Sequence, residues 1–268
     1  MHLWLLNFIM SFGWPPHVKA DPVNRGNLTE LFFDEVHKTL QIMVDSPETS
    51  EELHHQEHTE EGDIIPSTDR NAVQQIWPTH AIPYQINAEI RRRTSDILSA
   101  TKMISDQTCL TFHPRTSEID YLHFKNGAGC ASYVGFIGGD QPIFVGSVCS
   151  VGNIAHEILH ALGFYHEHTR TDRDEYITIL NNNIIKGTEQ NFIKRHGNTL
   201  NVPYDTDSIL HYGSRYFSSN GLPTIIPLHM TKAMGQRVRL TKLDIMRVRL
   251  LYDCDSSRNV TDQQLHWL

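Results

Sequence analysis

One stretch constrains this chain more than any other: His156-Glu157-Ile158-Leu159-His160-Ala161-Leu162-Gly163-Phe164-Tyr165-His166, the pattern H-E-x-x-H-x-x-G-x-x-H. Two imidazoles four residues apart on a helix lie one above the other on the same face, so both nitrogens can reach a single ion. Glu157 follows the first of them and can reach a water on that ion without displacing a ligand. Gly163 can adopt the left-handed backbone that ends a helix, which lets the chain turn and bring in His166. Three nitrogen donors and one water make the open coordination of a catalytic zinc site. A chance H-E-x-x-H on a surface helix is the plain alternative. The glycine, the third histidine and the apolar frame of Ile154, Ala155, Ile158, Leu159, Ala161 and Leu162 argue instead for a buried helix carrying a metal site.

The chain has 268 residues, of which 39% are hydrophobic. That suffices for one sizeable core and not for several domains. The formal charge of -8 is unevenly spread. Residues 21–70 carry 13 acidic and 3 basic side chains, whereas residues 71–268 carry 18 and 19. The nearly neutral larger part gives no reason to expect a nucleic-acid partner.

Residues 1–20 read as a secretory signal: an apolar centre, Leu3 to Leu6 and Phe8 to Met10, then Val18-Lys19-Ala20 with cleavage after Ala20. The apolar run is too short for an anchor, and no later stretch reads as a membrane span. A secreted, extracellular chain meets an oxidising compartment, so its four cysteines should pair, in any of three connectivities. Cys130 and Cys149 flank a glycine-rich segment suited to a hairpin, and Cys109 and Cys254 bracket nearly the whole catalytic region. Asn27-Leu28-Thr29 and Asn259-Val260-Thr261 are N-glycosylation sequons.

Residues 21–70 form an acidic segment that cannot bury enough to fold alone. It reads either as a linker or as a pro-peptide packed on the catalytic domain. His54, His55 and His58 within it read as solvated polar residues. Ile82 to Ile86 alternates as a strand, residues 89–105 have helical spacing, and Leu110 to Phe112 and Tyr121 to Phe124 read as strands. Tyr133 to Phe136 reads as a strand near a sheet edge. The motif helix is expected from about Gly152 to Leu162, a polar and loop-like region after His166, and a last helix around residues 241–252.

The run continues as Glu167-His168-Thr169-Arg170-Thr171-Asp172-Arg173-Asp174. As a whole it resembles the astacin family of zinc endopeptidases, within the metzincin group. Gly129 to Gly135, the S-I-x-H-Y run at Ser208 to Tyr212, and Gly235-Gln236-Arg237 add to the match. The resemblance covers about residues 71–254. It implies an α+β, zincin-like fold of two subdomains: a twisted mixed sheet with the active-site helix, then a less regular C-terminal part. It also implies the disulfides Cys109–Cys254 and Cys130–Cys149. Residues 255–268 read as a tail, without the accessory domains of larger relatives. Where the family has methionine below the metal, this chain has Leu210.

The resemblance also implies roles. One Zn2+ per subunit is held by His156, His160 and His166, and Glu157 is the general base. Tyr212 matches the family tyrosine that hydrogen-bonds the oxyanion. Ala131, Ser132 and Tyr133 match the edge strand that takes an extended protein or peptide substrate. Asp63, in Glu61-Gly62-Asp63, resembles the pro-peptide aspartate that binds zinc in place of water, with Glu60 where the family has phenylalanine. A trypsin-like protease cutting after Arg70 would free Asn71, whose amine the family links through water to the glutamate matching Glu167. The competing expectations are a catalytically inactive zinc-binding ectodomain that acts as a binding module, and an exopeptidase.

Overall fold

The structure is a computed structural model that describes residues 61–66, 76–231 and 233–256. The expected signal segment, both sequons (Asn27 and Asn259), the His54–His58 cluster, the Arg70 processing point and the end of the tail lie outside the described residues.

The first half is built on one sheet. Its strands are β1 (Ala81–Ile86), β2 (Thr111–Pro114), β3 (Tyr121–Asn126), β4 (Cys130–Ser132) and β5 (Asp140–Val145), in the order β2-β1-β3-β5-β4. All neighbours run parallel except β4, which lies antiparallel to β5 with Cys130 opposite Val145 and Ser132 opposite Ile143. Buried parallel strands need apolar residues on both faces, and β3 is buried from Tyr121 to Phe124. Two helices pack on this sheet, α1 (Thr94–Ser105) and α2 (Val151–Ala161). Ile97, Ile104, Leu122, Phe124, Ile143, Ile154, Ile158 and Leu159 form their common core. The helical stretch expected at 89–105 is split: a 3-10 segment, Ala88–Arg93, kinks at Ile90 before α1 begins.

The strand expected at Tyr133 to Phe136 is not there; β4 ends at Ser132. Beyond it the backbone groups find partners outside the sheet. Gly135 N donates to His160 O at the end of α2 (2.9 Å), and the Gln141 side chain bridges Gly135 O and Ile137 N. The region after His166 is also more ordered than its polarity suggests. It holds a short antiparallel pair, β6 (Ile177–Ile179) and β7 (Ile225–Pro227), and a second core of Ile177, Phe192, Tyr204, Tyr212, Tyr216, Phe217, Ile225 and Met234. The last helix, α3 (Lys242–Leu251), returns to the first core through Val248, and Tyr252 follows it there.

Disulfides join Cys109 to Cys254 and Cys130 to Cys149. The first ties the start of β2 to the end of α3, and the second ties the β4–β5 ladder to the start of α2. Among the described residues no helix is long and apolar enough to cross a membrane.

Candidate metal centre

The site begins with how α2 starts and stops. Ser150 caps it, accepting from Asn153 N, while the Asn153 side chain accepts from Ser150 N: a reciprocal box with asparagine in the usual Glu/Gln place. At the other end Gly163 has φ +113°. Gly163 N donates to His160 O and Phe164 N to Leu159 O, the paired bonds that close a helix on a left-handed glycine. Trp77 Nε1 and the Tyr252 hydroxyl donate to the carbonyls of Ala161 and Leu162. The chain therefore reverses at a fixed place, and His166 meets the two helical imidazoles.

His156, His160 and His166 are buried, and their Nε2 atoms converge. His156 Nε2 lies 2.9 Å from His160 Nε2 and 3.2 Å from His166 Nε2. Asp63 joins them, with Oδ2 at 3.1 Å from His156 Nε2 and Oδ1 at 3.3 Å from His166 Nε2. Each Nδ1 faces an acceptor: Ile209 O for His156 (2.7 Å), Phe164 O for His160 (2.6 Å) and Glu61 Oε2 for His166 (2.9 Å). Those acceptors suit ring protons on Nδ1, the tautomer that offers each Nε2 lone pair to a shared metal ion.

This arrangement fits a zinc ion. Donors about 2.0–2.1 Å from a tetrahedral ion lie about 3.3 Å apart, close to the spacings above. Asp63 Oδ1 is buried and has no hydrogen-bond partner, as a ligand oxygen would. The electrostatics agree. Burial, with the charges of His156 and His166, holds His160 well below the usual imidazole range. Burial also opposes charge on His166, but the carboxylates of Asp63 and Glu61 outweigh it and raise its pKa to about 9. Burial pushes Asp63 up, and the histidines more than reverse that, leaving it well below its ordinary 3.8.

The other expected residues fall around this centre. Glu157 is fully buried on α2, next to His156. Tyr212 is buried, its ring 4.7 Å from that of His166, and its hydroxyl donates to the Glu61 carbonyl. Ala131 and Ser132 lie on β4, and Tyr133 follows it. The outward edge of Ser132 is paired with the 61–66 segment: Ser132 N donates to Asp63 O and Ile65 N to Ser132 O, in parallel sense. Leu210 is buried in the first core, between Ile209 and the second core's Tyr212. Glu167 is held by Arg247, by Arg170 (3.2 Å) and by Asp205 N (2.8 Å), and borders a cavity of about 590 Å³ also lined by Gly163, Arg195 and Leu251.

Some residues escape a reading of the sequence. Glu61 is buried between His166 and Arg195 (Nε–Oε1 2.6 Å). His168 stacks on Tyr212 with ring centroids 3.8 Å apart, and burial followed by the charge of His166 keeps it well below the usual imidazole range. Asp244 completes the capping box of α3 by accepting from the N-cap Thr241 N, and also accepts from Ser208 Oγ and Ile209 N, fixing the turn whose Ile209 carbonyl orients His156. The acidic run around Glu61 and the pairing of Ser208 with Asp244 across 36 residues carry no local sign of these roles.

Comparison with known proteins gives one family. The model of the astacin peptidase family matches residues 69–253. Blastula protease 10 of Paracentrotus lividus is 43% identical over 195 residues, 68% of this chain and 33% of that protein. Low choriolytic enzyme of Oryzias latipes is 37% identical over 210 residues, 72% of this chain and 78% of that protein. This chain spans about a third of the length of the first curated relatives it matches. Among solved structures, High choriolytic enzyme 1, described as a hatching enzyme zinc-protease from Oryzias latipes, aligns with a TM-score of 0.64 at 35% identity, covering 72% of this chain and all of that one.

Proposed function

The chain belongs to the astacin family of peptidases, and from that premise we propose that it is a secreted zinc-dependent endopeptidase made as a zymogen. The observation that carries the proposal is the convergence of His156, His160 and His166 beside the buried Glu157. When bound, zinc supplies a water acidified to a pKa of about 7 and polarises the scissile carbonyl. Glu157 takes a proton from the attacking water and passes it to the leaving amine. Tyr212 turns its phenol to the developing oxyanion, where a donor aimed at new charge is worth most. Once the 61–66 segment is gone, the β4 edge at Ala131 and Ser132, with Tyr133 just beyond it, is free to take an extended peptide through backbone hydrogen bonds. The favoured substrates are thus unfolded or loop segments of proteins.

Latency follows from the 61–66 segment. Asp63 takes the place of the nucleophilic water, the Glu61 carbonyl engages the Tyr212 hydroxyl, and residues 63–65 cover the Ser132 edge. Cleavage after Arg70 by a trypsin-like protease removes all three blocks together. The freed Asn71 amine would then link, through water, to Glu167, which Arg170 and Arg247 also hold. The division into signal (1–20), pro-peptide (21–70), peptidase domain (71–254) and tail (255–268), with glycosylation at Asn27 and Asn259, belongs to this proposal.

Glu157→Ala in the 71–268 form is the test. The variant is expected to retain one zinc and lose turnover of internally quenched peptides with blocked ends. Near-normal cleavage by it would overturn the mechanism. An inactive binding module would leave even the wild-type form without cleavage, and an exopeptidase would need a free terminus.

A further inference from the structure

Each ligand histidine needs an acceptor for its outer nitrogen, because that bond fixes the ring and its tautomer. His156 and His160 find theirs in backbone carbonyls, Ile209 and Phe164, which stay with the folded domain. The third imidazole differs: His166 Nδ1 faces Glu61 Oε2 at 2.9 Å. Glu61 lies within the segment that activation is proposed to remove. Its other oxygen, Oε1, is held by Arg195 Nε at 2.6 Å, so the carboxylate bridges a cation and a ligand ring.

The backbone around it is shaped for this contact. Glu61 has φ 51° and Gly62 φ 78°. Two consecutive left-handed residues are unfavourable for a glutamate, which keeps that conformation only where its surroundings hold it. The turn sends the side chains of Glu61 and Asp63, both with no exposed surface, to the same imidazole from opposite sides: Glu61 to Nδ1 and Asp63 to Nε2. Asp63 alone would block the site; Glu61 contributes nothing to that block through its carboxylate.

We infer that Glu61 is the positioning residue of the third metal ligand: bridging Arg195 and His166, it presents the His166 Nε2 lone pair to the metal and tightens the uncut chain's hold on zinc. This rests on the zinc-zymogen reading above and adds a consequence to it. The uncut chain is the metal-loading form, and activation gives up one ring anchor along with the inhibitory ligand.

The test is a competitive chelator titration of zinc with the uncut 21–268 chain, kept uncut by Arg70→Ala. Losing a carboxylate behind a ligand histidine typically costs 10–100-fold in metal affinity. Glu61→Ala is expected to weaken zinc by that factor. Glu61→Gln, which keeps the volume and a neutral acceptor, should fall between it and the parent. Asp63→Ala provides a background in which the inhibitory ligand is gone, and Glu61→Ala should still weaken zinc about tenfold or more there. Equal affinity for parent, Glu61→Gln and Glu61→Ala, with matching thermal unfolding of the metal-free chains, overturns the inference while leaving the peptidase reading intact. A parent chain that takes up no zinc overturns both.

Discussion

The Tyr212 hydroxyl donates a hydrogen bond to the carbonyl of Glu61, a residue 151 positions earlier in the chain. The phenol that would steady an oxyanion is therefore engaged by the 61–66 segment. His168 stacks against the face of the same ring and holds the phenol beside the metal centre. In the 71–268 form, Tyr212→Phe is expected to lower kcat by about 10²-fold with little change in KM, since the lost bond forms mainly in the transition state. Steady-state kinetics on a quenched peptide read this directly. A change confined to KM would make Tyr212 a wall of the cleft.

Leu210 sits two residues before Tyr212 yet belongs to the other core. Its backbone is held on both sides: Leu210 N donates to Ser208 Oγ, and Leu210 O accepts from Glu167 N. Leucine and methionine have similar volumes, so Leu210→Met should change stability by less than about 1.5 kcal/mol and leave zinc affinity unchanged. Thermal unfolding and zinc titration of the variant check both statements.

Arg170 grips Asp172 through Nε (2.9 Å) and Nη2 (2.7 Å), and this holds the Asp172 carboxyl below its ordinary 3.8. A carboxylate with a lowered folded pKa contributes stability above its unfolded pKa and loses it as pH falls through the folded value. Asp172→Asn should therefore cost on the order of 1 kcal/mol near neutral pH, given the partial exposure of the pair. The difference in Tm between variant and parent should shrink below about pH 4. A difference that stays constant from about pH 7 to about pH 3 would assign the effect to something other than this ion pair.

The Cys109–Cys254 bond closes a separation of 145 residues. Loop-closure entropy assigns a cross-link of that span about 5 kcal/mol, the upper end of what disulfides contribute. Replacing both cysteines with serine should lower the denaturant midpoint markedly. The separation of 19 residues between Cys130 and Cys149 predicts a smaller loss, about 3 kcal/mol, for the other pair.

How much of this is legible in the sequence depends on range. The three histidines and Glu157 sit within eleven residues, and helical geometry with a left-handed glycine is enough to bring them together. The parallel strands are readable from β-rich runs such as Tyr121 to Phe124. Tyr133 to Phe136 misleads because its backbone is bonded to α2 and Gln141 rather than to a sheet neighbour. The strands at Ile177–Ile179 and Ile225–Pro227 are three residues each, too short for a period to register. Glu61 is hidden by its neighbours: in a run of acidic residues nothing local marks the one carboxylate that meets His166 across 105 residues.

The zymogen mechanism is tested most directly by comparing two forms of one protein. Zinc-loaded 21–268, uncut, and zinc-loaded 71–268, produced by cleavage after Arg70, are assayed side by side on an internally quenched peptide with blocked ends. Internal cleavage is expected from the trimmed form and essentially none from the uncut one, with Asp63→Ala restoring part of the activity to the uncut chain. Equal rates for the two wild-type forms would contradict the aspartate block, and no cleavage by the trimmed form would contradict the endopeptidase itself.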